Sequence, residues 1–202
     1  MSPPEPLRAD LIRAQLGSKL IGSEIVVLDE TSSTNDVVRD LAGHGANPGL
    51  VVFAESQTGG RGQRGNRWAS AAYLGLWFSM LLRPAISIED SPRLTSWAAQ
   101  AVADSLRTGY EVDATVKSPN DVVVCGRKIA GVLAEMRAEP RSRHLAIVGI
   151  GINVNQGAED FPGELRARAT SLTAVVGKTQ DRTILARAVL QHLDRTYHEQ
   201  FA

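Results

Sequence analysis

The chain has one cysteine in 202 residues, Cys125, so an internal disulfide is excluded and a reducing cytoplasm is the expected compartment. It has no excess of charge of either sign, with 22 basic and 22 acidic side chains. A general nucleic-acid binder needs a net basic face, so that class is disfavoured, although a local basic cluster can still hold one nucleotide. No apolar run approaches the roughly 20 residues that cross a bilayer, so no membrane partner is expected. The first residues (MSPPEPLRAD) lack the apolar stretch of a secretory signal. The histidines 44, 144, 192 and 198 are scattered, which argues against a histidine metal site. There are no repeats, no low-complexity tract and no linker long enough to separate a second domain.

What is present is ordinary globular material, 43% hydrophobic, sufficient for one domain with a substantial core. A proline-rich start leads into an amphipathic helix predicted over residues 7–20. Residues 24–28 read as a strand. Residues 31–36 (TSSTND) are a run of capping types before a helix over 37–42, closed by glycine, asparagine and proline at 43–49. Residues 50–54 and 73–82 (YLGLWFSMLL) read as strands on either side of a glycine-arginine loop. Ser91-Pro92 is an N-cap with proline at the first helical position, opening a helix that runs to Gly109. Strands are predicted over 112–116 and 121–124. Cys125-Gly126-Arg127 forms a hairpin turn into 128–136, and 144–154 (HLAIVGIGINV) is a further buried strand. Asp181 caps a last helix with Leu185, Ala188, Val189, His192 and Tyr197 along one side. Consecutive strands in the middle with helices at both ends indicate an α+β domain with a mixed sheet.

The loop 59–68 (GGRGQRGNRW) contains Gly60-x-Gly62-x-x-Gly65, the dinucleotide fingerprint. That fingerprint needs a helix to open within it, because the pyrophosphate rests on the helix N-terminus. Here the following segment reads as loop and then strand, and Arg61, Arg64 and Arg67 are foreign to a loop that binds through backbone amides. An anion-binding lid fits better: glycine permits close backbone approach, and guanidinium groups match carboxylate and phosphate oxygens. The alternative, a solvated hairpin tip with incidental arginines, stays open on the loop alone.

Three further segments bear on that choice. Lys117-Ser118-Pro119-Asn120-Asp121 places a cation, a turn, an amide and a carboxylate together, although Asn and Asp also shape turns with no further role. Lys128 enters the apolar 129–133, and a lysine there needs an anionic partner, because burying an unpaired ammonium is costly. Ala130, Gly131 and Ala134 leave room either for a ligand or for close packing of a helix. Asn153, in 149–155 (GIGINVN), either satisfies backbone groups or reads a nucleotide.

Together these segments resemble the biotin–protein ligases. Ser33-Thr34-Asn35, Gln57-Thr58-x-Gly60-Arg61-Gly62 with Gly65 and Trp68, Lys117-x-Pro119-Asn120-Asp121, Gly126-Arg127-Lys128-Ile129-Ala130-Gly131 and Gly151-Ile152-Asn153-Val154 occur in that family's order and approximate spacing. The resemblance is strong from about residue 31 to 155 and weaker beyond. It implies a fold like the class II aminoacyl-tRNA synthetase core, a mixed sheet flanked by helices, here a single biotin/lipoate-ligase-like catalytic domain over 1–202. It also implies an ATP- and Mg²⁺-dependent activation of biotin to biotinyl-5′-AMP. Transfer to a lysine of a biotin carboxyl carrier domain follows.

Carried onto this sequence, the resemblance gives Ser33, Thr34, Asn35 and Gln57 to the biotin rings. Arg61, with Gly62 and Gln63, closes over biotin and the acyl phosphate, and Gly131 lies beside biotin. Lys128 holds carboxylate and phosphate oxygens as the principal catalytic cation, with Arg61 and Lys117 assisting. Lys117, Asn120 and Asp121 shape the nucleotide and Mg²⁺ region. Arg64, Arg67, Trp68 and Asn153 serve the nucleotide side.

This chain departs from the family pattern at Gln63 and Asn66, where arginine is usual, and at Ser118, where tryptophan is usual. The first two bear on how tightly the adenylate is held. Too little sequence precedes the core for a winged-helix DNA-binding domain, and no SH3-like barrel is expected after it. A homodimer through exposed sheet edges is compatible with the family, and no edge signal decides it. Two rivals remain: a lipoate–protein ligase, which shares the chemistry but carries a different glycine-rich segment, and a non-catalytic biotin-binding homologue.

Overall fold

The computed structural model describes residues 5–139 and 143–201; the start of the proline-rich segment, 1–4, lies outside them. A seven-stranded sheet runs through the molecule, with β1 (Glu24–Thr31), β2 (Leu50–Gln57), β3 (Gly75–Leu82), β4 (Ala114–Lys117), β5 (Asp121–Val124), β6 (Arg127–Arg137) and β7 (Leu145–Asn153). Their order across the sheet is β1-β2-β3-β7-β6-β5-β4. Only β1 and β2 are parallel. The connection between them is α2 (Thr34–Gly43), as a parallel pair requires a crossover. The mixed α+β sheet expected from the element order is the one observed.

The central strands explain their own composition. Every residue of β3 is buried, because its neighbours β2 and β7 close both edges and each face is covered. Leu76, Phe78, Met80 and Leu82 point to one side, with Val51, Phe53, Ala130, Val132, Val148 and Ile150. That side is covered by α3 (Pro92–Tyr110) and α5 (Arg182–Phe201). Burying a leucine, isoleucine or phenylalanine contributes roughly 1.5–3 kcal/mol, so this face supplies most of the core. The other face carries Val52, Leu81 and Ile147 under Val38 of α2. Beyond α2 this second face is left to loops, and there the cleft forms.

Helix and turn signals behave as chemistry dictates, with several corrections. Asp181 does cap α5, its Oδ1 accepting from Thr183 N and Ile184 N at 2.8 and 3.0 Å. Its buried face is Leu185, Ala186, Val189, Leu190, Leu193, Tyr197 and Phe201, with Ala188 and His192 flanking rather than on it. The 125–126 turn has both central residues at positive φ, the geometry that matches the twist of a two-residue hairpin.

The first helix, predicted over 7–20, forms only as α1 (Ala9–Arg13). Downstream, Asp194 of α5 accepts three backbone N–H groups, from Lys19, Leu20 and Ile21, and so holds that segment unwound. The second helix starts at Thr34 rather than at residue 37. Ser33 is its extended N-cap, and the capping-type residues after it become the first turn. Tyr73, predicted to lie in a strand, sits instead in a turn at φ 61°. The short α4 (Leu172–Val176) has no counterpart among the predicted elements; Ser171 caps it by accepting from Ala174 N.

A buried ion pair ties both ends of the chain to the sheet. Glu55 of β2 and Arg182 of α5 are 1% and 4% exposed and meet at 2.6 Å. Arg182 also donates to Glu5 O and Gly75 O, while Glu55 accepts from Leu7 N. Removing one partner leaves the other charge buried alone. Arg182→Ala is therefore expected to lower the unfolding free energy by about 3–5 kcal/mol in a urea titration; a loss under about 1 kcal/mol would contradict a structural role.

Candidate functional site

The cleft lies on the second face of the sheet, and its floor is opened by three glycines, 131, 149 and 151. Gly131 of β6 pairs with Gly151 of β7, and the next inward pair is Leu133 with Gly149. A methyl at Gly149 would stand 2.2 Å from Asn35 Oδ1, and one at Gly151 would stand 2.4 Å from the Trp68 indole. These glycines are thus required by close approach from above. Ala130, on the opposite face, packs toward α3, so the two readings of the small residues each hold for one side of β6.

One end of the cleft is a polar wall of Ser33, Thr34, Asn35 and Gln57. Gln57 Oε1 accepts from Thr34 N at 2.9 Å and Gln57 Nε2 donates to Ser70 Oγ at 2.9 Å. Asn35 Oδ1 can only accept, so Ser79 donates to it, and the Thr34 hydroxyl donates in turn to Ser79 Oγ at 2.6 Å. Asn35 Nδ2 then donates to Glu135. The relay Thr34, Ser79, Asn35, Glu135 has one direction and ends on a carboxylate, an arrangement in which each bond polarises the next. Ser33, itself buried, belongs to the same wall.

The other end is cationic. Lys128 Nζ meets Asp121 Oδ1 at 2.6 Å, which supplies the anionic partner its position demands. It also lies 5.1 Å from the Trp68 ring centre. The main chain of Lys128 is fixed by Arg168 O and Thr170 N at 2.7 and 2.9 Å. Asn120 lines the cleft, with Nδ2 donating to Val132 O at 3.2 Å. Trp68 leans edge-on against Trp77, and its Nε1–H is buried without an acceptor among the described residues. A buried donor left open in a cleft is costly unless a ligand satisfies it.

The glycine-arginine loop folds as a small hairpin, with an Arg61–Arg67 bridge and Gly62 N donating to Asn66 O at 2.7 Å. The two readings of the loop divide between its residues. Arg64 and Arg67 sit exposed at and beside the tip, where Asn66 Nδ2 bonds Gln63 O and Arg64 has positive φ. Arg61 alone turns toward the cleft. Its Nη1 and Nη2 donate to Asp36 Oδ2 and Oδ1 at 2.6 and 2.8 Å. The Arg61 hydrogen bond holds the Asp36 carboxyl below the usual carboxylate range, against the opposing effect of burial and with Arg39 adding to it. Reciprocally, Asp36 raises the Arg61 guanidinium. A depressed carboxyl stabilises the fold fully above its unfolded pKa and loses that contribution only as pH falls through the folded value, so this pair is intact throughout the neutral range.

Of the residues the sequence singled out, Ser33, Thr34, Asn35, Gln57, Arg61, Gly62, Trp68, Asn120, Lys128 and Gly131 line this one cleft. Asp121 joins through Lys128. Lys117, the last residue of β4, is exposed and outside the lining, as are Arg64 and Arg67; Gln63, half-buried, is outside it too. Asn153 is buried and donates to Thr170 O at 3.0 Å, so its amide serves the backbone. Sequence reasoning missed Asp36, Arg39, Ser79 and Glu135. A lone serine inside the apolar 73–82 run was the one signal that pointed to any of them.

A model of the biotin/lipoate A/B protein ligase family matches residues 27–153. The bifunctional ligase/repressor BirA of Bacillus spizizenii is 37% identical over 196 residues, which cover 97% of this chain and 60% of that protein. The biotin–[acetyl-CoA-carboxylase] ligase of Mycobacterium tuberculosis is 33% identical over 204 residues, 96% of this chain and 73% of that protein. The structure of the biotin protein ligase from Aquifex aeolicus in complex with biotin and ATP aligns with a TM-score of 0.75 at 32% identity, over 88% of this chain and 71% of that one. This chain therefore spans 60% of the length of the bifunctional relative. With the family model matched across more than half of its residues, cleft floor and polar wall included, the chain belongs to the biotin/lipoate A/B protein ligase family.

Proposed function

We propose that this chain activates biotin with MgATP to biotinyl-5′-AMP and transfers the biotinyl group to a lysine of a biotin carboxyl carrier domain. The observation that carries the proposal is the pairing, in one glycine-floored cleft, of a hydrogen-bonding wall with two cations, Lys128 and Arg61. A small acid with a polar ring system fits between them, ring to Ser33, Thr34, Asn35 and Gln57, carboxylate to Lys128. The reaction named for the Mycobacterium tuberculosis relative has the same requirements.

In the first step a carboxylate oxygen bonds to the α-phosphorus of ATP and pyrophosphate leaves. Negative charge grows on the phosphoryl oxygens, where Lys128 and Arg61 donate charge-assisted hydrogen bonds. In the second step the neutral amine of the acceptor lysine attacks the acyl carbon, AMP leaves with the bonding pair, and the amine loses a proton as the amide forms. Positioning accounts for much of the rate, since both steps join groups that the cleft can hold side by side.

The free Trp68 Nε1–H offers a donor for the adenylate. No cluster of three metal-ligating side chains occurs among the described residues. That fits Mg²⁺ arriving with the triphosphate and touching one carboxylate such as Asp121, the usual mode for this hard, water-retaining ion. Lys117, Arg64 and Arg67 remain as surface cations for phosphate oxygens that project from the mouth. Among the described residues no helix is long and apolar enough to cross a membrane, and the lone cysteine suits the cytoplasm as site of action. The edge strands β1 and β4 are each paired on one side only, which leaves both open to a second copy.

Three outcomes test this reading. Lys128→Ala is expected to cut biotin-dependent ATP–pyrophosphate exchange by about 10²-fold or more; exchange near the unsubstituted rate would remove Lys128 from the chemistry. Exchange driven by lipoate and not by biotin would transfer the chain to the lipoate ligases. Gly149→Val should abolish biotin binding in calorimetry without unfolding the chain, because the added carbons occupy the space of the Asn35 amide; binding of unchanged affinity would show that the ligand lies elsewhere.

A further inference from the structure

The polar wall has a proton order that is not free to change. Thr34, Asn35 and Ser79 are all buried, so their polar atoms must find partners within the protein. Ser79 stands on the cleft side of β3 with Gly149 as its neighbour in β7. The missing side chain at Gly149 admits the Asn35 amide between Ser79 and Glu135. Glu135 lies 3.0 Å from Arg39 and 3.8 Å from Arg61, and as a carboxylate it only accepts. Asn35 therefore turns Nδ2 toward it, at 2.5 Å, and Oδ1 toward Ser79, which spends its one proton there at 2.5 Å. The single Thr34 proton then has two acceptors, both inside the protein: Ser79 Oγ at 2.6 Å and Gln57 Oε1 at 3.2 Å.

We propose that Glu135 is a positioning residue that sets the direction of this relay. It thereby presents the Thr34 hydroxyl to the cleft as an acceptor, selecting a ligand whose ring carries an N–H donor there. A hydroxyl whose own proton is spent inside the protein has only lone pairs left for a ligand. A neutral amide at 135 would donate as readily as accept, and the Asn35 amide could then turn over. Ser79 would donate to Thr34, taking up a lone pair and releasing the Thr34 proton. A wall of that polarity reads a ring acceptor instead. With Glu135 in place, a ring without an N–H leaves a buried acceptor unpaired, and such a loss discriminates strongly between ligands of similar shape. The cyclic disulfide of lipoate is a ring of that donor-free kind. The identity of the ligand rests on the proposed function, whereas the direction of the relay does not.

Calorimetry on the full chain compares two probes with the same carboxylate tail. One is desthiobiotin, whose ring has an N–H on each side of its carbonyl; the other is its cyclopentanone counterpart, with methylene in place of each N–H. Both tails meet the cationic end alike, so any effect of the charge at 135 on Arg61 or Lys128 cancels in the ratio of affinities. The unsubstituted chain is expected to prefer desthiobiotin by roughly 10²-fold or more. Glu135→Gln should lower that preference about ten-fold, the scale of one hydrogen bond. Glu135→Asp, which keeps an acceptor-only group, should retain the preference even where both affinities fall. An unchanged preference in Glu135→Gln overturns the proposal, and so does an equal loss in Glu135→Asp, which marks packing rather than proton direction. The relay is also read without ligand, by NMR of the chain labelled at asparagine nitrogen, with Asn35 assigned by its absence in Asn35→Ser. One Asn35 amide proton is expected downfield of the other asparagine side chains and should move upfield in Glu135→Gln; absence of that shift overturns the relay. Failure of the unsubstituted chain to bind desthiobiotin would refute the proposed function, while the Asn35 signal still decides the relay.

Discussion

A bare patch in the middle of a seven-stranded sheet is the constraint on which the site depends. Sheets normally cover both faces with side chains, and here one face of β6 and β7 is left open at Gly131, Gly149 and Gly151. The gap lets Asn35 and the Trp68 indole reach the backbone floor, which places the polar wall and the aromatic lid within one ligand's length. The opposite face compensates. Ala130, Val132, Val148, Ile150 and Ile152 pack under α3 and α5, so the strands remain rigid although half their cleft-side packing is missing. Rigidity beneath and space above are both consequences of a two-residue alternation.

Charge is distributed by the same logic. The deeply buried pair, Glu55 with Arg182, is structural and faces away from the cleft, with further donors and acceptors used on the backbone of Glu5, Leu7 and Gly75. The pairs at the cleft are about one-third exposed: Lys128 with Asp121, and Arg61 with Asp36. Half-solvated pairs cost little to rearrange, so these cations can turn toward an anionic ligand without stranding a buried carboxylate. The difference in burial separates the ion pair that holds the fold from those available to chemistry.

The strands from β2 to β7 and the cleft residues Arg61, Asn120, Lys128 and Gly131 were legible because each sits in a local pattern: a fully apolar run, a glycine loop, a turn; Gln57 came only with the family resemblance. What was not legible depends on partners distant in sequence. Asp36 reads as a helix-capping residue until the loop 25 positions later is folded against it. Glu135 is an ordinary charged residue of a strand until Asn35 and Arg39 reach it from α2. The first helix comes out shorter than its periodicity implies because Asp194, some 175 residues away, supplies acceptors that a helix would otherwise provide. Lys117 and Asn153 were singled out by the segments that carry them; Lys117 is exposed outside the cleft lining, and of the two readings left open for Asn153 the amide makes the backbone bond, to Thr170 O.

The proposal that one cleft both holds biotin and activates it for transfer meets its sharpest test in the intact mass of a biotin carboxyl carrier domain. The domain is incubated with biotin and MgATP, with and without this chain. The expected result is a mass increase of one biotinyl group on a single lysine that requires the chain, biotin and ATP together. A carrier domain that stays unmodified at saturating ligand, in the presence of a folded chain that binds biotin, would contradict it.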